Sequence, residues 1–343
     1  GASTQCLFMT RNLGFLAISG KARVRCRLVH SMAQSGEEMA AAFERDGYLL
    51  LRNFASVTDC DTMRAAMHEL ISRWDPATTT SVFRTDGKQE KAQGSDDYFL
   101  SSADKVRFFL EPDAVDPAGE LRTGIAKEEA LNKVGHALHT EVEAFVRYSQ
   151  SAEVRRVVDS LGWRSPALMQ SMYIFKQPRI GAIVTPHQDS TFLRTEPLSC
   201  LGLWLALQPA TEANGCLWAR PGSHQEPLRR HFARTSSSDG AVQMHFNTLA
   251  EPGGTSAAAA ASWEGRMPDG VSPADLGFVP LPVETGDLVV IHGQLDHMSM
   301  PNTSATSRHS FQLHLVEGEA EGVRWDPTNW LQYPAGKPYP GFV

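Results

Sequence analysis

The chain has 343 residues, 42% hydrophobic and 21% charged, a globular balance long enough to bury its own core without disulfide staples. A net charge of −7 argues against nucleic acid as the main partner, because neutralising phosphates needs a basic face. No apolar run approaches the roughly 18–20 residues of a membrane span, and five cysteines without a C-x-x-C pair suit a reducing compartment better than a secreted disulfide framework.

Residues 1–35 form a basic leader. No acid occurs before Glu37, while Arg11, Lys21, Arg23, Arg25 and Arg27 are basic. Two readings stay open: a mitochondrial targeting peptide, or a disordered extension upstream of a start at Met32. A near-match to an N-terminal peroxisomal address, from Arg23-Val24 to His30, is spoiled by Ser31, and Gly341-Phe342-Val343 is not a Ser-Lys-Leu ending. The expected location is intracellular, mitochondrial or cytoplasmic, with the peroxisome left open.

Residues 37–45 read as a short helix ended at Gly47, followed by the strand-like YLLL of 48–51. Ser56 or Thr58 can cap a second helix, in which Met63, Met67, Leu70 and Ile71 recur at three- and four-residue spacing through Trp74. The polar stretch 76–97 reads as a surface loop, and 127–161 as helix broken near Thr140 and Ser151. Short apolar or alternating runs then follow at 169–175, 201–207, 216–218, 287–291 and 310–315. Asn214-Gly215, Pro221-Gly222 and Thr285-Gly286-Asp287 supply turns between them. Residues 253–262, with five consecutive alanines, read as a flexible insertion. Helices first and strands after predict one domain over 36–343. It would have a helical part at 36–165 and a β-sandwich or barrel at 166–318.

The chemistry starts at Pro186-His187-Gln188-Asp189. In an extended chain residues i and i+2 share a face, so His187 and Asp189 can reach one ion. Two histidines and one carboxylate on one face of an octahedron mark non-haem iron(II) oxygenases. His297, after the 287–291 run and the turn at Gly293, is the strongest third ligand. Arg308 follows eleven residues later, where a guanidinium can hold the far carboxylate of a bidentate keto-acid co-substrate. An H-x-D tripeptide alone is a weak signal; the four residues together are a strong one. His136 and His139 lack a third ligand and read as core or helix-face residues. His224 reads as ordering its loop, and His292, His309 and His314 as residues in the core or beside the ligands.

The sequence resembles the phytanoyl-CoA dioxygenase family from about Met39 to Tyr339. The resemblance is carried by DYFLSS (97–102), KVRFF (105–109), NKVGHALH (132–139), QSMYIFKQP (170–178), PHQD (186–189), NGCLW (214–218), PGSH (221–224) and NWL (329–331). It implies a mainly β fold with flanking helices, the double-stranded β-helix or jelly-roll barrel. It also implies iron(II) on His187, Asp189 and His297, with 2-oxoglutarate clamped by Arg308 and touched by Lys133, Met172, Trp204 and Ser299. Read from sequence alone, Met172 and Trp204 are core and Lys133 a solvated helix charge.

The implied activity is a hydroxylating 2-oxoglutarate-dependent dioxygenase, supported by ascorbate, whose small-molecule partner is an acyl-CoA or related organic acid. Lys105, Arg107, Lys176 and Arg179 are candidates for CoA phosphate contacts. The alternative is a non-catalytic iron and 2-oxoglutarate sensor or interaction module. Oligomeric state is left open.

Overall fold

In a computed structural model, which describes residues 35–78, 81–86, 88, 93–236, 242–249 and 262–342, Ser35 starts the first helix. The leader up to residue 34 and residues 253–261 of the alanine-rich insertion lie outside the described residues. α1 (Gly36–Asp46) opens with a capping box: the Ser35 hydroxyl accepts from Glu38 N and the Glu38 carboxylate accepts from Ser35 N. Gly47 closes it at φ 79°, a left-handed conformation that glycine adopts without a Cβ clash. β1 (Tyr48–Leu51) and α2 (Val57–Arg73, capped by Ser56) follow as expected. Then come α3 (Asp97–Leu100), β2 (Val106–Leu110), β3 (Leu131–His136), α4 (Leu138–Glu141), α5 (Glu143–Ser149) and α6 (Ala152–Ser160).

The remaining strands are β4 (Pro166–Ile174), β5 (Val184–His187), β6 (Thr195–Glu196), β7 (Leu201–Ala206), β8 (Leu217–Ala219), β9 (Arg230–Ser236), β10 (Val242–Thr248), β11 (Val279–Leu281), β12 (Leu288–His292), β13 (His297–Ser299), β14 (Ser310–Glu317) and β15 (Arg324–Trp325). Seven form one sheet in the order β1-β12-β7-β14-β4-β3-β2, and four form a second, β11-β8-β13-β5. The pairs within both sheets are antiparallel. The chain is therefore mainly β with flanking helices, and its two main sheets face each other as in a double-stranded β-helix.

Alternation along the strands decides what each face meets. Leu49, Leu51, Leu201, Leu203, Leu205, Leu288, Val290, Phe311, Leu313 and Leu315 share one core with residues of α1, α2, α5 and α6. The intervening Leu50, Trp204, Val289 and Ile291 face inward and pack with Leu217, Trp218, Leu281 and Met298 of the smaller sheet. The large sheet is covered on both faces, which is why its strands read as nearly unbroken apolar runs. No helix among the described residues is long and apolar enough to cross a membrane. Cys60, Cys200 and Cys216 are free, buried thiols.

Two readings of the sequence need correction. Residues 127–161 are not helical throughout: 131–136 form β3, which pairs with β2 and β4. The helical period misled because β3 is buried along its whole length and so shows no alternation. The polar 76–97 stretch is not all surface. Val82 bridges Leu110, Ser81 and Gln93 are buried, and Phe83 and Thr85 reach the interior cavity.

Leu203 is 1% exposed and Val57 59%. Leu203→Ala should therefore cost about 2–5 kcal/mol of unfolding free energy in urea titration. Val57→Ser should stay within about 0.5 kcal/mol.

Candidate metal centre

Strand pleating and sheet register converge on three side chains. β5 ends at His187, and Asp189 begins a one-turn 3-10 segment directly after it. β13 lies alongside with His297 opposite His187. The two Nε2 atoms are 3.6 and 3.5 Å from Asp189 Oδ1, and one ligand atom from each residue lies within 4.8 Å of the others. Each imidazole is held by its other nitrogen: His187 Nδ1 donates to Thr185 O at 2.8 Å and His297 Nδ1 to Leu295 O at 3.0 Å. A carbonyl can only accept, so these bonds put the proton on Nδ1 and leave the Nε2 lone pairs facing Asp189. Two imidazole nitrogens and a carboxylate, pre-oriented in this way, fit iron(II).

Although burial opposes a charged His187, Asp189 beside it outweighs burial and raises the imidazole above its usual range, so metal binding there would displace a proton. Burial opposes the ionised form of Asp189, but His297, His314 and His187 outweigh it and hold the carboxyl well below its usual range. Burial pushes the His297 imidazole down to about 4, so it is neutral near pH 7, as a ligand must be.

His314, read from sequence as core or beside the ligands, lies beside Asp189. Its Nε2 lies 3.3 Å from Asp189 Oδ2, and its Nδ1 lies 3.3 Å from the Gln170 amide nitrogen. The amide donates to Nδ1, which puts the ring proton on Nε2, at ion-pair distance from Asp189 Oδ2, an oxygen that has no hydrogen-bond partner and is free to accept one. Beside it, a Cβ on Gly202 would come within 3.1 Å of Asp189 Oδ2, so glycine leaves the carboxylate its place. The one available signal was polar Gln312 and His314 alternating with apolar residues in FQLHLV.

A buried ionic cluster next to the ligands also went unread. Arg229 pairs with Asp296, Glu264 and Glu226, and Arg220 with Asp296 and Glu226. Asp296 precedes His297. Gln188, between the other two ligands, accepts from Arg229 N at 3.2 Å and donates to Gln294 O at 2.9 Å. The cluster thus ties the His187–Asp189 segment to the His297 segment. Its members come from three separate stretches, 220–229, Glu264 and Asp296, which hid it.

One cavity, with an empty volume of about 1380 Å³, is lined by all eight expected residues: Lys133, Met172, His187, Asp189, Trp204, His297, Ser299 and Arg308. Its floor is a grid set by register. Gly202, His314 and Gln170 form one row, Trp204, Gln312 and Met172 the next, and Ala206, Ser310, Ile174 and Lys133 the third. Asp189 stands over the first row. Arg308 lies past the third, donating to Ser310 Oγ at 3.0 Å and to Gly215 O at 3.1 and 2.9 Å. Its guanidinium is also 5.2 Å from the Trp204 ring.

Lys133 is not a solvated helix charge. It is buried on β3, 2.9 Å from His136 Nε2, 3.5 Å from Met172 Sδ and 3.4 Å from the Phe83 ring centre. Among the described residues no carboxylate comes within ion-pair distance of Lys133 or Arg308.

Three further histidines bond protein groups. His136 and His139 are buried and bond Ser102 and Ser171, and His224 Nε2 donates to Glu44 O, fastening its turn to α1. Of the four cations considered for CoA phosphates, only Lys176 reaches the cavity.

A family model described as phytanoyl-CoA dioxygenase matches residues 43–310. The chain is 43% identical over 298 residues to "Phytanoyl-CoA dioxygenase 1" of Oryza sativa subsp. japonica, covering 86% of this chain and 93% of the relative. It is 42% identical over 301 residues to "Phytanoyl-CoA dioxygenase domain-containing protein 1" of Danio rerio, covering 87% and 95%. The crystal structure of the epimerase SnoN with Fe3+, alpha ketoglutarate and nogalamycin RO superposes with a TM-score of 0.55 at 15% identity, covering 89% of this chain and 92% of that one, a likeness of fold.

Metal analysis of the purified chain should find one iron(II), or a nickel or manganese substitute, per molecule. His187→Ala and Asp189→Ala should each remove it, because loss of one donor breaks the facial set. His314→Gln should retain the metal with roughly 10–100-fold weaker affinity in a chelator competition. Full occupancy in both alanine variants would refute the assignment.

Proposed function

This chain belongs to the phytanoyl-CoA dioxygenase family of 2-oxoglutarate-dependent non-haem iron dioxygenases, and we propose that it hydroxylates a small organic acid or acyl substrate with release of succinate and carbon dioxide. The observation that carries this reading is Arg308. A guanidinium 2% exposed, with no carboxylate partner among the described residues, shares one cavity with the His187–Asp189–His297 centre. An unpaired interior cation is costly, and an anionic ligand at that end removes the cost.

In this reading His187, Asp189 and His297 hold the iron. Arg308, backed by Ser310, holds the far carboxylate of 2-oxoglutarate beside Trp204, and Lys133, Met172 and Ser299 border the bound co-substrate. When bound, iron and 2-oxoglutarate supply the activation of dioxygen, with ascorbate as a supporting reductant. Retention of Asp189 leaves no protein ligand position vacant for a halide, which favours hydroxylation over halogenation.

Phe83, Phe99, Phe192, Phe232 and Trp330 supply an aromatic wall that shields the centre from water and suits an apolar substrate body. A CoA head finds less support. Lys105, Arg107 and Arg179 lie outside the cavity, and Arg84 at its edge already pairs with Asp86 at 2.7 Å.

The test is succinate formation across a panel of organic acids and acyl-CoA thioesters with iron(II) and ascorbate. Substrate-stimulated turnover is expected for the true class, and a chain that binds 2-oxoglutarate but never forms succinate is the sensor instead. Arg308→Ala should keep its iron and raise the KM for 2-oxoglutarate by at least about tenfold, since a charge-assisted contact contributes roughly 1.5–3 kcal/mol. Arg308→Lys should recover only part, because an ammonium lacks the two-pronged geometry. An unchanged KM would place the clamp elsewhere.

A further inference from the structure

Lys176 is a second interior basic group at the Arg308 end of the cavity; burial and the neighbouring Arg308 push its ammonium well below the usual lysine range, so an anion there would stabilise its charged form. It is 2% exposed, and its backbone has φ 42°, a left-handed conformation that a lysine adopts only where its surroundings impose it. Those surroundings are visible: the Lys176 carbonyl accepts from Asn302 Nδ2 at 2.8 Å and from Arg308 N at 3.3 Å. The side chain runs inward past Gly215, where a Cβ would come within 2.7 Å of Lys176 Cε. Gly215 is also the residue whose carbonyl receives Arg308 Nε and Nη2, so both cations reach the same peptide.

An ammonium carries three donors. Lys176 Nζ donates to Ala182 O at 2.6 Å and to Ser299 Oγ at 2.8 Å, both neutral oxygens. Among the described residues no carboxylate lies within ion-pair distance of it. Glu111, fully buried in the same cavity, has an Oε1 without a hydrogen-bond partner. Burial pushes its carboxyl up to about 7, which makes it an incomplete counter-charge near neutral pH. Ser299 accepts from Lys176, and its own proton is then available to a ligand.

We propose that Lys176 is a second cationic anchor for the distal carboxylate of the co-substrate, acting beside Arg308 and through the Ser299 hydroxyl, so that this end of the cavity selects dicarboxylates. The inference rests on the co-substrate reading above and goes beyond it. A lysine serving packing alone would place no demand on the ligand's far end, which separates the two roles.

The test measures equilibrium binding by calorimetry to the full manganese-loaded chain. The ligands are 2-oxoglutarate and 2-oxopentanoate, which has a methyl where 2-oxoglutarate has its distal carboxylate. Lys176→Met should weaken 2-oxoglutarate at least about tenfold, change 2-oxopentanoate by less than about twofold, and retain the metal. Ser299→Ala, a smaller change that leaves the lysine in place, should show the same selectivity with roughly a threefold loss or more. Equal weakening of both ligands, or unchanged 2-oxoglutarate binding in either variant, overturns the anchor while leaving the co-substrate reading intact. If the unaltered chain binds manganese but not 2-oxoglutarate, the co-substrate reading falls, and the anchor with it.

Discussion

The antiparallel pairing of β5 with β13 places His187 opposite His297, and the rest of the centre depends on that register. Side chains alternate along a strand, so a slip of one residue would turn an imidazole out of the site. Two short strands hold such a register weakly by themselves. β13 is fastened on its other edge to β8, and the buried cluster of Arg220, Glu226, Arg229, Glu264 and Asp296 clamps the segments that follow β5 and precede β13. Buried ion pairs add little net stability over apolar packing, but they tolerate few alternative arrangements. Here that property serves geometry: it fixes where Nε2 of each histidine lies relative to Asp189.

The large sheet shows how one element serves both stability and chemistry. Its outer face is a continuous apolar surface against the helices, where each fully buried leucine contributes roughly 1.5–3 kcal/mol. Its inner face near β1 and β12 is equally apolar, but across β7, β14, β4 and β3 it becomes a polar floor carrying Gln312, His314, Gln170 and Lys133. Burying those groups opposes folding, and the outer face offsets it. Lys133, Lys176 and Arg308 are the extreme cases, basic groups enclosed with neutral hydrogen-bond partners, each pushed below its usual range by burial. Such groups persist where a ligand of opposite charge belongs to the working state.

Local signals in the chain were reliable where one element's own chemistry decides the outcome. Ser35 and Ser56 start helices because a hydroxyl satisfies free amides, and Gly47 ends one because it can turn left-handed. The runs at 201–207, 287–291 and 310–315 became strands because only a sheet covered on both faces buries so many apolar residues in succession. Where burial erased the periodic signal, as in β3, or where a polar stretch was drawn inward, as at Phe83 and Thr85, the local signals pointed the wrong way.

The sequence by itself determined the ligand set. His187 and Asp189 are two residues apart, and that spacing already places both on one face; His297 was the strongest candidate for the third donor, and the three do lie together. Only the tertiary structure decided that His314 stands 3.3 Å from Asp189, that Lys176 and Glu111 line the cavity with Arg308, and that Arg229 joins the ligand segments. The physical reason is sequence distance. The two imidazoles can be matched to one ion by residue type and strand position alone. A residue that acts on a ligand through cross-strand register or a buried ion pair carries no local mark, because its partner is supplied by a segment tens to more than a hundred residues away.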